Sequence, residues 1–170
     1  MAEKSKLDTA ANIAILVVCA IAAFVLVRNH FFPQRPPGAP PEIEAGEQYD
    51  ALRGVVPAGA QRALVIAVSP TCHYCTESMP FYKRLIDQRN QSGSQVKVVV
   101  AVPRPEAQAE EAQKLAEGGV KPDALVPLDF ASVRVNGTPT ILLVDNQGKV
   151  LDVWVAKQPK KGENEILKTL

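Results

Sequence analysis

The sequence predicts an α/β domain, a central mixed sheet flanked by helices, preceded by one N-terminal transmembrane helix. Three observations predict it. Eighteen residues from Ala10 to Val27, "AANIAILVVCAIAAFVLV", carry no charge. From about residue 43 onward, compact β-branched runs alternate with segments whose apolar residues recur every three or four positions, the pattern of strands exchanging with amphipathic helices. Between the first such strand and the first such helix stands "SPTCHYCTESMP", which sets Cys72 and Cys75 at a helix start. At 170 residues with no internal repeat, the chain has room for one ordinary domain and its accessories.

Taken in order, residues 1–9 are a short polar tail, and 10–27 are an anchor near the lower limit of the ~17–25 residues that span a bilayer as a helix. A cleaved signal peptide is the rival. It usually has an apolar region of roughly 7–15 residues, and here no small-x-small site follows Val27 before "RNHFFPQR". The segment is therefore expected to be retained. Cys19, in mid-span behind Val17 and Val18, is read as a small apolar residue rather than a lipidation site. Lys4 and Lys6 before the span balance Arg28 and Arg35 after it, so charge does not set its orientation. Phe31 and Phe32 suit the membrane interface. The stretch "PQRPPGAPP" makes 28–42 a stiff, extended stalk.

The domain is expected over 43–170. "EQYDAL" is a short helix, "RALVIAVS" (62–69) a buried strand, and Cys75, Met79, Tyr82, Leu85 and Ile86 mark one face of a helix running from Cys72 to about Asn90, kinked by Pro80. "QVKVVVAVP" (95–103) is a second strand, and "PEAQAEEAQKLAEGG" (105–119) is a helix with proline at its start and glycine at its stop. "TILLVDNQGKVLDVWVA" (140–156) is a hairpin turning at Asn146 to Gly148, and "GENEILKTL" a terminal helix. From Ile43 onward basic and acidic residues number 15 each. That balance offers no basic surface to a polyanion, so nucleic acid is not an expected partner.

A Cys-x-x-Cys pair at a helix start suits thiol-disulfide exchange. Backbone donors and the helix dipole stabilise a thiolate at Cys72, which attacks a partner disulfide, and Cys75 resolves the mixed disulfide. Zinc would need about four ligands, and the chain adds only His73, His30 and Cys19. Cu(I) can be held by two thiolates, though no Met-rich or His-rich segment accompanies them. A purely structural bridge across so short a loop would restrain little of the unfolded chain. Redox chemistry is the favoured reading, and neither cofactor nor metal is expected.

With "CHYC" after "ALVIAVS", Pro80 five residues beyond Cys75, and "NGTPTILLVDNQGKV" downstream, the chain resembles the thioredoxin-like superfamily over about residues 45 to 170. More narrowly it resembles the membrane-anchored bacterial members that act outside the cytoplasm. The resemblance implies a thioredoxin-like fold, a cis bond between Thr138 and Pro139 facing the disulfide, and a substrate segment meeting the Thr138 backbone beside Cys72. It also makes His73 and Tyr74 the tuning positions. A protonated His73 would favour the Cys72 thiolate and make the disulfide more oxidising. The family's strong oxidants carry histidine at the other middle position and its isomerases carry tyrosine at this one, so "HY" selects neither class. The chain departs from the family's pattern at Thr71, where thioredoxins have tryptophan, and at Ile66, where many members have a buried acid. Trp154, the sole tryptophan, is read as packing in the last strand. Without that acid, the Cys75 proton must pass to water, to Glu77 or to another group.

Two functions follow. The first is a membrane-tethered thiol-disulfide oxidoreductase. It is expected as a single-pass protein of the bacterial inner membrane with its domain on the periplasmic side, where disulfides persist. Its partners are protein thiols and disulfides and a membrane or soluble electron donor or acceptor. The second is a Cu(I)-binding or assembly-factor module without redox turnover, weakened by the lack of a histidine beyond His73.

Overall fold

The computed structural model describes residues 2–31, 40 and 42–170, with side chains described over 12–27 in the first helix and from 42 onward. The chain divides into two units, Met1–Pro40 and Pro41–Leu170. In the first, helix α1 runs over Ala2–Phe31. Every described side chain on it, from Asn12 to Val27, is exposed. Among the described residues no helix is long and apolar enough to cross a membrane. Most of the stalk expected over 28–42 lies outside the described residues, and 28–31 continue the helix.

The second unit is built on a five-stranded sheet of β1 (Arg62–Ala67), β2 (Lys97–Val102), β3 (Ala124–Pro127), β4 (Thr140–Asp145) and β5 (Val150–Val155), in the order β3-β2-β1-β4-β5. β1 pairs in parallel with β2, and β2 with β3, whereas β4 runs antiparallel to both β1 and β5. Central β1 is buried on both faces, which is why its sequence is an unbroken apolar run rather than an alternating one. Successive side chains still go to opposite sides. Leu64 and Ile66 join Val98, Val100, Ile141 and Leu143 in one core layer, while Ala63, Val65 and Ala67 join Val99, Ala101, Leu142 and Val144 in the other.

Helices cover both layers. On the first lie α3 (His73–Glu77), α4 (Met79–Ser92), α5 (Ala107–Glu117) and α6 (Lys160–Leu167), contributing Cys75, Tyr82, Leu85, Leu115 and Ile166. Trp154 packs there too. On the second, Leu52 of α2 (Asp50–Arg53) sits with Val133 and Val135. The β4–β5 turn closes against α2: Gly148 has φ +77°, and a Cβ there would run into the Tyr49 carbonyl.

Two expectations are corrected. The single kinked helix from Cys72 is two helices, interrupted at Ser78, which caps the C-terminus of α3 and the N-terminus of α4. Pro80 lies in the first turn of α4, where its missing N–H costs nothing and its ring prevents α3 from continuing through. Strand β3 was not anticipated. It has four residues, stands at the sheet edge between Pro122 and Leu128, and ends on Pro127, so neither length nor alternation marks it. Its register against Val99–Val102 of β2 comes from tertiary pairing.

Candidate active site

The site lies where β1 ends and α3 begins. After Ala67 the chain turns through Ser69 and Thr71, and Cys72 takes an extended backbone (φ −82°, ψ 107°) at the N-cap of α3. Its sulfur accepts a hydrogen bond from the Cys75 N–H at 3.1 Å, as a capping side chain does. Cys72 and Cys75 are joined in a disulfide with Cα atoms 5.2 Å apart. Their surroundings differ: Cys72 is half-buried, while Cys75 is only 2% exposed and belongs to the core. An attacking partner therefore meets Cys72 first. A thiolate formed there keeps the Cys75 N–H as a donor, which favours the charged form.

Opposite stands the loop before β4. The Thr138–Pro139 peptide is cis. The Thr138 carbonyl oxygen lies 3.3 Å from Cys72 Sγ. Thr140 Oγ1 donates to the Gly137 carbonyl at 2.8 Å, and the Ala156 N–H donates to the Pro139 carbonyl at 2.8 Å, tying this loop to the chain leaving β5. The structure thus brings Cys72, Cys75, Thr138 and Pro139 together.

His73 and Tyr74 occupy the exposed surface of α3, with rings 5.8 Å apart, and Tyr74 is among the few large apolar side chains that the domain exposes. His73 is engaged along its own helix: Nε2 lies 2.9 Å from Glu77 Oε1, an i,i+4 pair. The other carboxylate oxygen, Oε2, accepts from Lys157 Nζ at 2.6 Å. The Lys157 hydrogen bond above all holds the Glu77 carboxyl below its usual range against an opposing desolvation, with the charge of Lys157 and the contact with His73 acting in the same direction as that bond. On the other side of the disulfide loop, Lys114 of α5 donates to the Pro70 carbonyl and pairs with Glu110 at 3.1 Å.

Ile66 is fully buried between Val100 and Ile141, so the site carries no acid at that position of the strand. A different buried acid is present. Glu111 of α5 is 1% exposed, and neither of its carboxylate oxygens has a protein hydrogen-bond partner. Burial raises its pKa. Glu111 and the Ser78 hydroxyl both lie near the Tyr82 phenol, which has no hydrogen bond of good geometry and is pushed up mainly by its own burial. The Ser78 hydroxyl donates instead to the Tyr74 carbonyl at 2.7 Å. In sequence Glu111 looks like one more surface glutamate of an Ala/Glu-rich helix. The available signal is its place four residues before buried Leu115 and four after Ala107, on the inward stripe.

Among the described residues no group of three or more His, Cys, Asp or Glu side chains stands close enough to hold a metal ion. In the closed disulfide neither sulfur is a thiolate ligand.

The profile of the thioredoxin-like domain matches residues 48–169, and the chain belongs to that family. Among curated proteins, none matches. Solved structures similar to it include a thiol-disulfide isomerase from Corynebacterium glutamicum (21% identity, TM-score 0.51, 79% of this chain and 97% of that one). Another is a secreted disulfide oxidoreductase from Mycobacterium tuberculosis (13%, 0.51, 69% and 85%). A third is the thioredoxin domain of a thiol-disulfide oxidoreductase from Bacteroides vulgatus (16%, 0.51, 65% and 79%). At these identities the likeness is one of fold, and this chain adds to it the redox-type Cys72–Cys75 pair.

Proposed function

We propose that this protein is a membrane-tethered thiol-disulfide oxidoreductase that exchanges disulfides with protein substrates outside the cytoplasm. The observation that carries the reading is the asymmetric disulfide: a half-buried Cys72 whose sulfur has a backbone donor, bonded to a core-buried Cys75.

The chemistry balances without a cofactor. In the reducing direction the Cys72 thiolate attacks one sulfur of a substrate disulfide. That S–S bond breaks, and the departing sulfur leaves as a thiolate and takes a proton. Cys75 then gives up its proton and attacks the Cys72 sulfur, releasing the second substrate thiol. Two electrons pass from the protein dithiol to the substrate disulfide, and the oxidising direction is the reverse. Thr138, whose carbonyl lies against the Cys72 sulfur, is the position at which an extended substrate backbone lies alongside. His73 and Tyr74 form the rim that a substrate touches.

Helix α1 is the tether in this reading. Its described side chains include Ile13, Leu16, Val18, Ile21, Phe24 and Leu26, all exposed and distributed around the whole helix. A helix apolar on every side has no face suited to water. What supports placing the domain on the periplasmic side of a bacterial inner membrane is the proposed chemistry, because protein disulfides persist there and are rare in the cytosol.

The test is trapping. In the full-length chain, Cys75→Ser should accumulate mixed disulfides through Cys72 that reductant dissolves, and Cys72→Ser should accumulate none. Equal behaviour of the two variants would sink the assignment.

A further inference from the structure

The charged rim of α3 is arranged around one carboxylate, that of Glu77. Glu77 has one carboxylate oxygen on His73 Nε2 at 2.9 Å and the other on Lys157 Nζ at 2.6 Å. His73 directly follows the attacking cysteine. Lys157 directly follows Ala156, whose N–H holds the Pro139 carbonyl of the opposing loop. Both groups thus stand on segments tied to the disulfide and its opposing loop, and both are bound to a single carboxylate. The pairing engages His73 with a carboxylate one turn further along the helix from the N-cap that Cys72 occupies.

Three other basic groups on the neighbouring helices have acids of their own, while Arg104, on the loop before α5, lines the surface beside Ser69 and Thr71 together with Glu106. On α4, Lys83 pairs with Asp87 and Arg84 with Glu163, and on α5 Lys114 pairs with Glu110. Removing Glu77 therefore unbalances His73 and Lys157 and leaves those other pairs intact. The rim is exposed enough that these ion pairs add little to folding stability. The equilibrium between a neutral disulfide and a thiolate-bearing dithiol is more sensitive, because one of its two states carries a negative charge beside them.

We propose that Glu77 is a positioning residue that holds His73 and Lys157 away from the Cys72 sulfur and offsets their charge, keeping the couple more reducing than its Cys-His-Tyr-Cys motif alone would set. The inference rests on the reading of Cys72 and Cys75 as a redox couple. It answers why a histidine beside the nucleophile need not make this protein a strong oxidant: the imidazole is already committed to Glu77.

The experiment measures the glutathione equilibrium of the full-length chain in mild detergent, scored by thiol alkylation, for wild type, Glu77→Gln, Glu77→Asp and the double variant His73→Gln/Glu77→Gln. Glu77→Gln should move the equilibrium toward the dithiol by roughly three- to tenfold, the scale of one unbalanced charge at partly screened distance. Glu77→Asp should recover most of this shift, and the double variant should show less than half of it, the remainder belonging to Lys157. A Glu77→Gln shift below threefold, or one that ignores the identity of residue 73, overturns the proposal. Loss of a merely structural contact would produce neither the rescue by Glu77→Asp nor the dependence on His73. If wild type itself shows no reversible couple, the oxidoreductase reading falls and the inference with it. If wild type is reversible and Glu77→Gln does not move it, the inference alone falls.

Discussion

On the outer side of the disulfide the charged groups are exposed and paired; on the inner side the polar groups are buried, and two of them have no partner. His73, Glu77 and Lys157 form a chain of contacts at 2.9 and 2.6 Å in contact with solvent. Behind Cys75, the phenol of Tyr82 and the carboxyl of Glu111 are closed off among Met79, Leu85 and Leu115. The two regions lie on either side of the disulfide, the outer on α3 and the segment after β5, the inner on α4 and α5, and their polar groups are governed by different physics. Outside, water screens each charge and the pairs adjust the reactivity of Cys72 without contributing much to folding. Inside, desolvation dominates, so the same residue types raise or lower the stability of the domain.

The largest effect that would sharpen this contrast is a deletion of packing on the inner side. Tyr82→Ala should cost about 3–5 kcal/mol in urea unfolding, the range for emptying a buried aromatic site, whereas His73→Ala on the rim should stay within about 0.5 kcal/mol. A comparable loss at both positions would erase the distinction. Tyr82→Phe separates packing from polarity: it removes only a poorly bonded buried hydroxyl and should be neutral or stabilising, within about 1 kcal/mol.

Glu111 gives a smaller effect with a defined sign. Its pKa is raised in the fold above the ordinary 4.5. A carboxyl that keeps its proton longer in the folded chain contributes stability that is whole below the unfolded value and is lost as pH climbs through the folded value. Glu77 and Glu163, held low by Lys157 and by Arg84 with Lys160, act in the opposite sense and lose their contribution as pH falls. Glu111→Gln isolates the first term. It should unfold like wild type near pH 4 and become progressively more stable than wild type as pH rises to 7, while Glu111→Leu should gain about 1–2 kcal/mol at pH 7. A wild-type advantage that grows with pH would mean that Glu111 is charged and well solvated in the fold.

Much of this was legible in the residues. Arg62–Ala67, Lys97–Val102 and the Thr140–Val155 hairpin are apolar, β-branched and bounded by turn residues, and they form the strands expected. The cysteine pair and the Thr138–Pro139 turn are local motifs, and the fold brings them within 3.3 Å. The unforeseen features depend on distant partners. β3 is a strand because β2 offers it a free edge, and Ser78 divides α3 from α4 two residues ahead of the proline that prevents a continuous helix. Glu77 could be placed one turn from His73 by helix spacing, but Lys157 is 80 residues away in sequence and joins it only through the fold. The buried Glu111 is the clearest case: its side chain faces inward because α5 packs on β2 and β3, and within "AQAEEAQKLAE" only its spacing of four from Ala107 and from Leu115 separates it from Glu110.

The most direct measurement is the redox titration of the full-length wild-type chain against glutathione, reading the alkylation state of Cys72 and Cys75 across the ratio of thiol to disulfide. The account predicts one reversible two-electron transition with a potential between about −270 and about −120 mV, the span of thioredoxin-fold exchangers. Cysteines whose alkylation does not follow the glutathione ratio, locked as a disulfide or never forming one, would contradict it.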